Sequence, residues 1–218
     1  MGAVIGEVLP LAIGVAVSPI PIIAAILMLF STRATSTSTG FLLGWVLGIV
    51  AATALFTALA GTLRTGGEPS ATTSWIKIGL GVLLVLVGIH QWRGRGGQHD
   101  TPKWMAAIDD FTFPKALGLG FLLSAVNPKN LIMAAGAGVI IGSGAAGVGG
   151  EVTAIAVFTV LASSTVAIPV IAYLVAAERM SGPLESLRKW LQDNNATVMA
   201  TLILVIGAVL VGKGVSGL

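Results

Sequence analysis

Lys129 is the residue whose chemistry fits its surroundings least. It stands in LSAVNPKNLIMAAGAG, Leu123 to Gly138, a run otherwise dominated by apolar and small side chains. Asn127, Pro128 and Asn130 flank it. An ammonium group donates hydrogen bonds and attracts anions, while side-chain amides both donate and accept. Proline has no N–H, and its ring clashes with the carbonyl four residues back, so Pro128 interrupts a helix and frees backbone groups. One reading makes Lys129 a cap for those carbonyls, but Ser or Asn does that at lower cost. The sharper expectation is that Lys129 meets an acidic group of a ligand or changes protonation in a working cycle.

A second stretch repeats the pattern. AVSPIPIIAA, Ala16 to Ala25, aligns without gaps on AVNPKNLIMA, Ala125 to Ala134. Ser18 then faces Asn127, Pro19 faces Pro128, Ile20 faces Lys129 and Pro21 faces Asn130, at an offset of half the chain. Backbone groups freed inside a bilayer must find other partners or a wet cavity. Ser18, Asn127 and Asn130 can supply such partners.

Other chemistries have little support. The chain has no cysteine, so it offers no disulfide, thiolate ligand or thiol nucleophile. It holds no HExxH and no pair of carboxylates within an apolar run. A Ser/Lys pair between Lys129 and Ser124 or Ser18 has no supporting spacing. His90 and His99 fall at or beyond the end of an apolar run, where interfacial or solvated roles suit them. The Gly-rich turn IGSGAAGVGGE lacks phosphate-loop spacing. The expectation is no enzyme, no cofactor and no metal.

The elements that must position these residues are membrane helices. The chain has 218 residues, 55% hydrophobic and 10% charged, with mean hydropathy +0.96. Soluble domains carry about 25% charged residues. Six apolar runs, 4–30, 39–63, 74–92, 115–142, 151–177 and 196–215, are each long enough to cross a core of roughly 30 Å. Lys129 lies about 20 Å along its helix from Lys115, too deep to reach an interface easily. Glu7 and Glu151 lie near run ends, so neither is an obvious partner for it.

The expected fold class is an all-α integral membrane protein of six transmembrane helices. Three helices per unit is an odd number, so two units in series cross the membrane in opposite senses, an inverted repeat with helices one and four broken at their Pro motifs. The divisions are 1–92, a cytoplasmic linker 93–114, and 115–218. Arg33, Arg93, Arg95, Lys103, Lys115, Arg179, Arg188 and Lys189 fall on one side, and Arg64, Lys77 and Lys213 on the other. The positive-inside rule makes the first side cytoplasmic and puts both termini outside. This explains the net charge of +3 without nucleic acid.

Other features admit two uses each. Gly40, Gly44 and Gly48 form a small-residue face for general packing or a specific partner. Leu184, Leu187, Trp190 and Leu191 mark a short amphipathic helix for the headgroups or for the protein's own loops. Ser163, Ser164 and Thr165, a turn before Pro169, suit back-bonding to their own helix more than a cavity wall.

SPIPIIAAILMLFSTRA and LSAVNPKNLIMAAGAG, on two three-helix units, resemble the LysE superfamily of exporters, and more closely its GAP branch, also called the Sap or sulfolipid-1-addressing group. The resemblance covers nearly the whole chain. It implies export, or assisted export, of an amphipathic cell-envelope glycolipid from a bacterial plasma membrane. Carried over position by position, it places the site at Ser18, Pro19, Pro21, Asn127, Pro128, Lys129 and Asn130. The chain lacks the intramembrane acids of ion-exporting relatives, which argues against coupling through a carboxylate. Export of an amino acid or other small solute is the alternative, and a non-transporting scaffold of a larger export complex is another. The expected partners are the bilayer and a lipid or solute substrate, with a homodimer or larger complex left open.

Overall fold

A computed structural model describes residues 2–62, 71–94, 107–144 and 147–217. Arg64, Arg95, His99, Pro102, Lys103 and Trp104 lie outside the described residues, as do most of the 93–114 linker and part of the Gly-rich turn. Among the described residues the chain is all-helical. The helices are α1 (Gly2–Ala16), α2 (Pro19–Leu29), α3 (Ala34–Thr62), α4 (Ala71–Gly94), α5 (Phe113–Ala125), α6 (Pro128–Ser143) and α7 (Gly147–Val215). A 3₁₀ turn, Ile108–Asp110, precedes α5.

The first and fourth apolar runs each form a bent pair. α1 and α2 meet at 53°, and α5 and α6 at 62°. The sequence explains both bends as helix starts. Ser18 is the N-cap of α2 with Pro19 behind it, and Asn127 is the N-cap of α6 with Pro128 behind it. A small polar N-cap followed by proline at the first helical position opens a new helix, because that position needs no N–H donor. Pro21 adds a second missing donor in the first turn of α2.

Among the described residues, three helices are long and apolar enough to cross a membrane, or up to five if each bent pair is one span. The fifth and sixth apolar runs belong to one element, α7, with non-helical backbone at Ala176 (φ −146°, ψ 54°). Thr165 bonds to Ala16, while Met199 reaches Lys129, whose ammonium bonds to Ser18. A straight helix would hold Thr165 and Met199 about 51 Å apart. The chain therefore folds back on itself between them. Residues 178–195, expected as a polar loop around a short helix, are helical throughout. Leu184 and Leu191 turn into the protein, whereas Leu187 and Trp190 are exposed. The inward pair bears out packing of this helix on the rest of the protein.

The glycine face of α3 packs inside the molecule. A Cβ on Gly44 would stand 1.9 Å from the Leu117 carbonyl oxygen, and one on Gly120 would stand 2.2 Å from that of Phe41. α3 and α5 therefore meet backbone to backbone. Further along α3, Gly138 and Gly142 of α6 press on Phe56 and Thr57. The apolar core runs between these helices through Leu11, Ile26, Phe41, Trp45, Met133 and Phe158.

Candidate functional site

The two bends meet. The Lys129 ammonium donates to the Ser18 hydroxyl at 2.5 Å, and Ser18 donates to the Asn130 side-chain oxygen at 3.3 Å. Met199 of α7 places its sulfur 3.7 Å from the same ammonium. Lys129, Ser18 and Asn130 are all buried, at 4%, 3% and 2% exposure. Among the described residues no carboxylate lies within ion-pair distance of Lys129.

Each bend leaves backbone groups to satisfy, and side chains do so. α5 ends at Ala125, so its last carbonyls lack donors from their own helix. Val126 and Asn127 both turn their N–H groups to the Leu122 carbonyl. The neighbouring Leu123 carbonyl accepts from the Asn130 amide at 2.9 Å. Asn127 accepts the N–H of Lys129 at 3.1 Å, capping α6. In the first bend the carbonyl of Ala16, the last residue of α1, accepts from the Thr165 hydroxyl of α7 at 2.5 Å. With the freed carbonyls at Leu123 and Ala16 met this way, the Lys129 ammonium is left to face Ser18 and Met199.

The electrostatics of the cluster have one sign. α2 and α6 both begin at the bends, so the positive ends of two helices start beside the ammonium. Helix N-termini are sites where anions are stabilised. Measured along the helices, Ser18 lies about 16 Å from Glu7, and Lys129 about 20 Å from Lys115. Glu7 marks one end of the bundle, where Lys77 pairs with its carboxylate at 3.1 Å and Lys213 donates to its backbone carbonyl at 3.3 Å. Counted along these helices, the cluster thus lies several turns inward of Glu7 and of Lys115.

A family profile described as Sap, sulfolipid-1-addressing protein, matches residues 8–216. The chain belongs to the Sap family. No curated protein and no solved structure matches it. The matched range contains both bends and every residue of the cluster. Membrane-protein character and membership of the Sap family agree with the apolar helices seen here.

Of the residues expected at the site in this Sap family member, Ser18, Lys129 and Asn130 come together. Pro19 and Pro21 are buried and act through the backbone. Asn127 caps α6 and is half-buried, while Pro128 is exposed and only shapes the chain. Ser163 and Ser164 bond back to Thr159 and Leu161 in their own helix, as expected of them. Thr165 does not, and sequence reasoning missed its cross-helix bond. Met199 was missed as well. Nothing in spacing or motif marks a methionine in an apolar run as the neighbour of a buried lysine.

Proposed function

We propose that this Sap family protein exports, or assists the export of, an amphipathic cell-envelope lipid bearing an anionic group, with Lys129 as the residue that receives that group. The observation that carries the reading is the buried ammonium at the meeting of two helix starts, with no carboxylate among the described residues to neutralise it. A buried lysine without a charged partner is costly and marks a functional site by default. Ser18, itself donating to Asn130, holds the ammonium in place, and the second N–H of the Asn130 amide is a further donor for an oxyanion.

The same reading takes the chain as six membrane spans in two inverted units, 1–92 and 115–218, within the LysE superfamily. The Arg-rich ends then face the cytoplasm of a bacterial cell and both termini lie outside. The bend of α1 and α2 and the bend of α5 and α6 form the two walls of the path.

The test is reconstitution into vesicles with a fluorescent anionic glycolipid placed in one leaflet. Its appearance in the other leaflet is followed by chemical quenching. The parent is expected to move it, and Lys129→Met is expected to slow this at least tenfold. Equal rates for parent, variant and empty vesicles would remove the lipid-transport reading. Movement of a small anionic solute in its place would favour the solute exporter.

A further inference from the structure

A second feature lies on the outer surface of α7, away from Lys129. Ile89, Trp92 and Arg93 of α4 and Thr201, Leu204 and Val205 of α7 line a groove of about 360 Å³. Its walls are apolar, and Ile89, Trp92 and Val205 are each well exposed. Trp75 and Trp92, both exposed, stand about 26 Å apart on α4. Exposed tryptophans at that spacing mark the two faces of a hydrocarbon core. The groove therefore opens toward the bilayer, with Trp92 and Arg93 at the headgroup level and Ile89 and Val205 toward the chains.

The register of α4 against α7 adds a second relationship. A Cβ on Gly88 would meet Leu204, and one on Gly81 would meet Val211. Five residues on from Gly88 and five back from Leu204, this antiparallel register sets Arg93 level with Met199. Met199 faces inward to Lys129, and Thr201 faces the groove. Arg93 and Met199 thus stand at one level, with the body of α7 between the groove and the face that meets Lys129.

We infer that this groove is a lateral docking site for one membrane lipid with an anionic headgroup, its acyl chain along Ile89, Leu204 and Val205 and its headgroup on Arg93. The charge of Arg93 at the headgroup end and the apolar lining toward the chains match a lipid in its bilayer orientation. A soluble anion fits the arginine but leaves the apolar walls unmatched. Docking stands apart from the transport reading. That reading is needed only for the next step, passage of the headgroup past the Met199 turn to Lys129.

The test is native mass spectrometry of the full chain in detergent with equal amounts of dioleoyl phosphatidylglycerol and dioleoyl phosphatidylcholine. The parent is expected to retain phosphatidylglycerol over phosphatidylcholine by roughly fivefold, the effect of one basic side chain at the headgroups. Arg93→Gln is expected to bring the ratio near one. Val205→Trp, an exposed position, fills the groove and is expected to lower the number of retained lipids of both kinds. Lys189→Gln, an exposed basic control, is expected to change neither. Lys129→Ala is expected to keep the lipid ratio while losing movement between leaflets, so failure of docking and failure of transport are read separately. An unchanged ratio in Arg93→Gln, or unchanged retention in Val205→Trp, would overturn the proposal. Loss of the ratio in Lys129→Ala alone would place the lipid elsewhere and overturn it too.

Discussion

Ser18 and Lys129 are separated by 111 positions in the chain and joined by a hydrogen bond of 2.5 Å. This bond ties the first bend to the second. Lys129→Met keeps the length of the side chain and removes its charge. Binding of an anionic lipid at this site is expected to weaken at least tenfold, because hydrogen bonds to charged groups are worth roughly 1.5–3 kcal/mol. Titration of the lipid against the purified variant checks it, and unchanged affinity excludes Lys129 as a contact.

Asn130 has two jobs that substitution can separate. Asn130→Ala leaves the Leu123 carbonyl without its donor, a loss of about 1–3 kcal/mol for a buried group. Thermal unfolding in detergent reads this as a lower midpoint. Asn130→Asp removes that donor as well and sets a carboxylate beside Lys129. It is expected to abolish anion binding, because the lysine then has an internal counter-ion.

Thr165→Val conserves shape and deletes the hydroxyl that meets the Ala16 carbonyl. A destabilisation of about 1–3 kcal/mol is expected. Thr165→Ser is expected to restore most of it. If serine fails as badly as valine, the loss comes from packing of the methyl group and not from the bond.

Gly44→Ala is expected to prevent assembly of the helices. Its Cβ would stand 1.9 Å from the Leu117 carbonyl oxygen, a backbone atom that cannot turn aside. Gly61→Ala has nothing within 4 Å of the added carbon and is the neutral control. The monodisperse fraction on size-exclusion chromatography distinguishes the two.

Glu185 lies in the helical stretch between the last two apolar runs, outside the spans proposed above. Its carboxyl is held below the ordinary value of 4.5, first by the hydrogen bond from Arg188 and further by the charges of Arg188 and Lys189. A lowered folded-state value stabilises the protein above the ordinary value, and that stabilisation is lost as pH falls through the lowered one. Glu185→Gln is therefore expected to be slightly less stable at neutral pH, to show a flatter profile below about pH 4.5, and to converge with the parent in acid. A parallel fall in both proteins would argue against the ion pair.

Both bends were legible in the sequence, because proline after Ser or Asn constrains the backbone locally. The partners across helices were not legible. Thr165 and Met199 lie in runs whose own patterns say only that they are helical and apolar. Gly40, Gly44 and Gly48 announced a close approach without naming the surface approached. Leu184, Leu187, Trp190 and Leu191 marked a short amphipathic helix within residues 178–195, but not that it runs unbroken into the last apolar run, because the charged residues around it read as loop.

The glycine contacts give the two bends unequal freedom. α3 is set against α5 through Gly44 and Gly120, and against α6 through Gly138 and Gly142, in each case close to backbone. It acts as a splint across the second bend and fixes its angle. The one close glycine of α1, Gly14, meets only the side-chain tips of Ile206 and Met133, which can swing away. If the proposed transport involves rocking, these contacts leave more room for it at the first bend, which carries Ser18, than at the second, which carries Lys129.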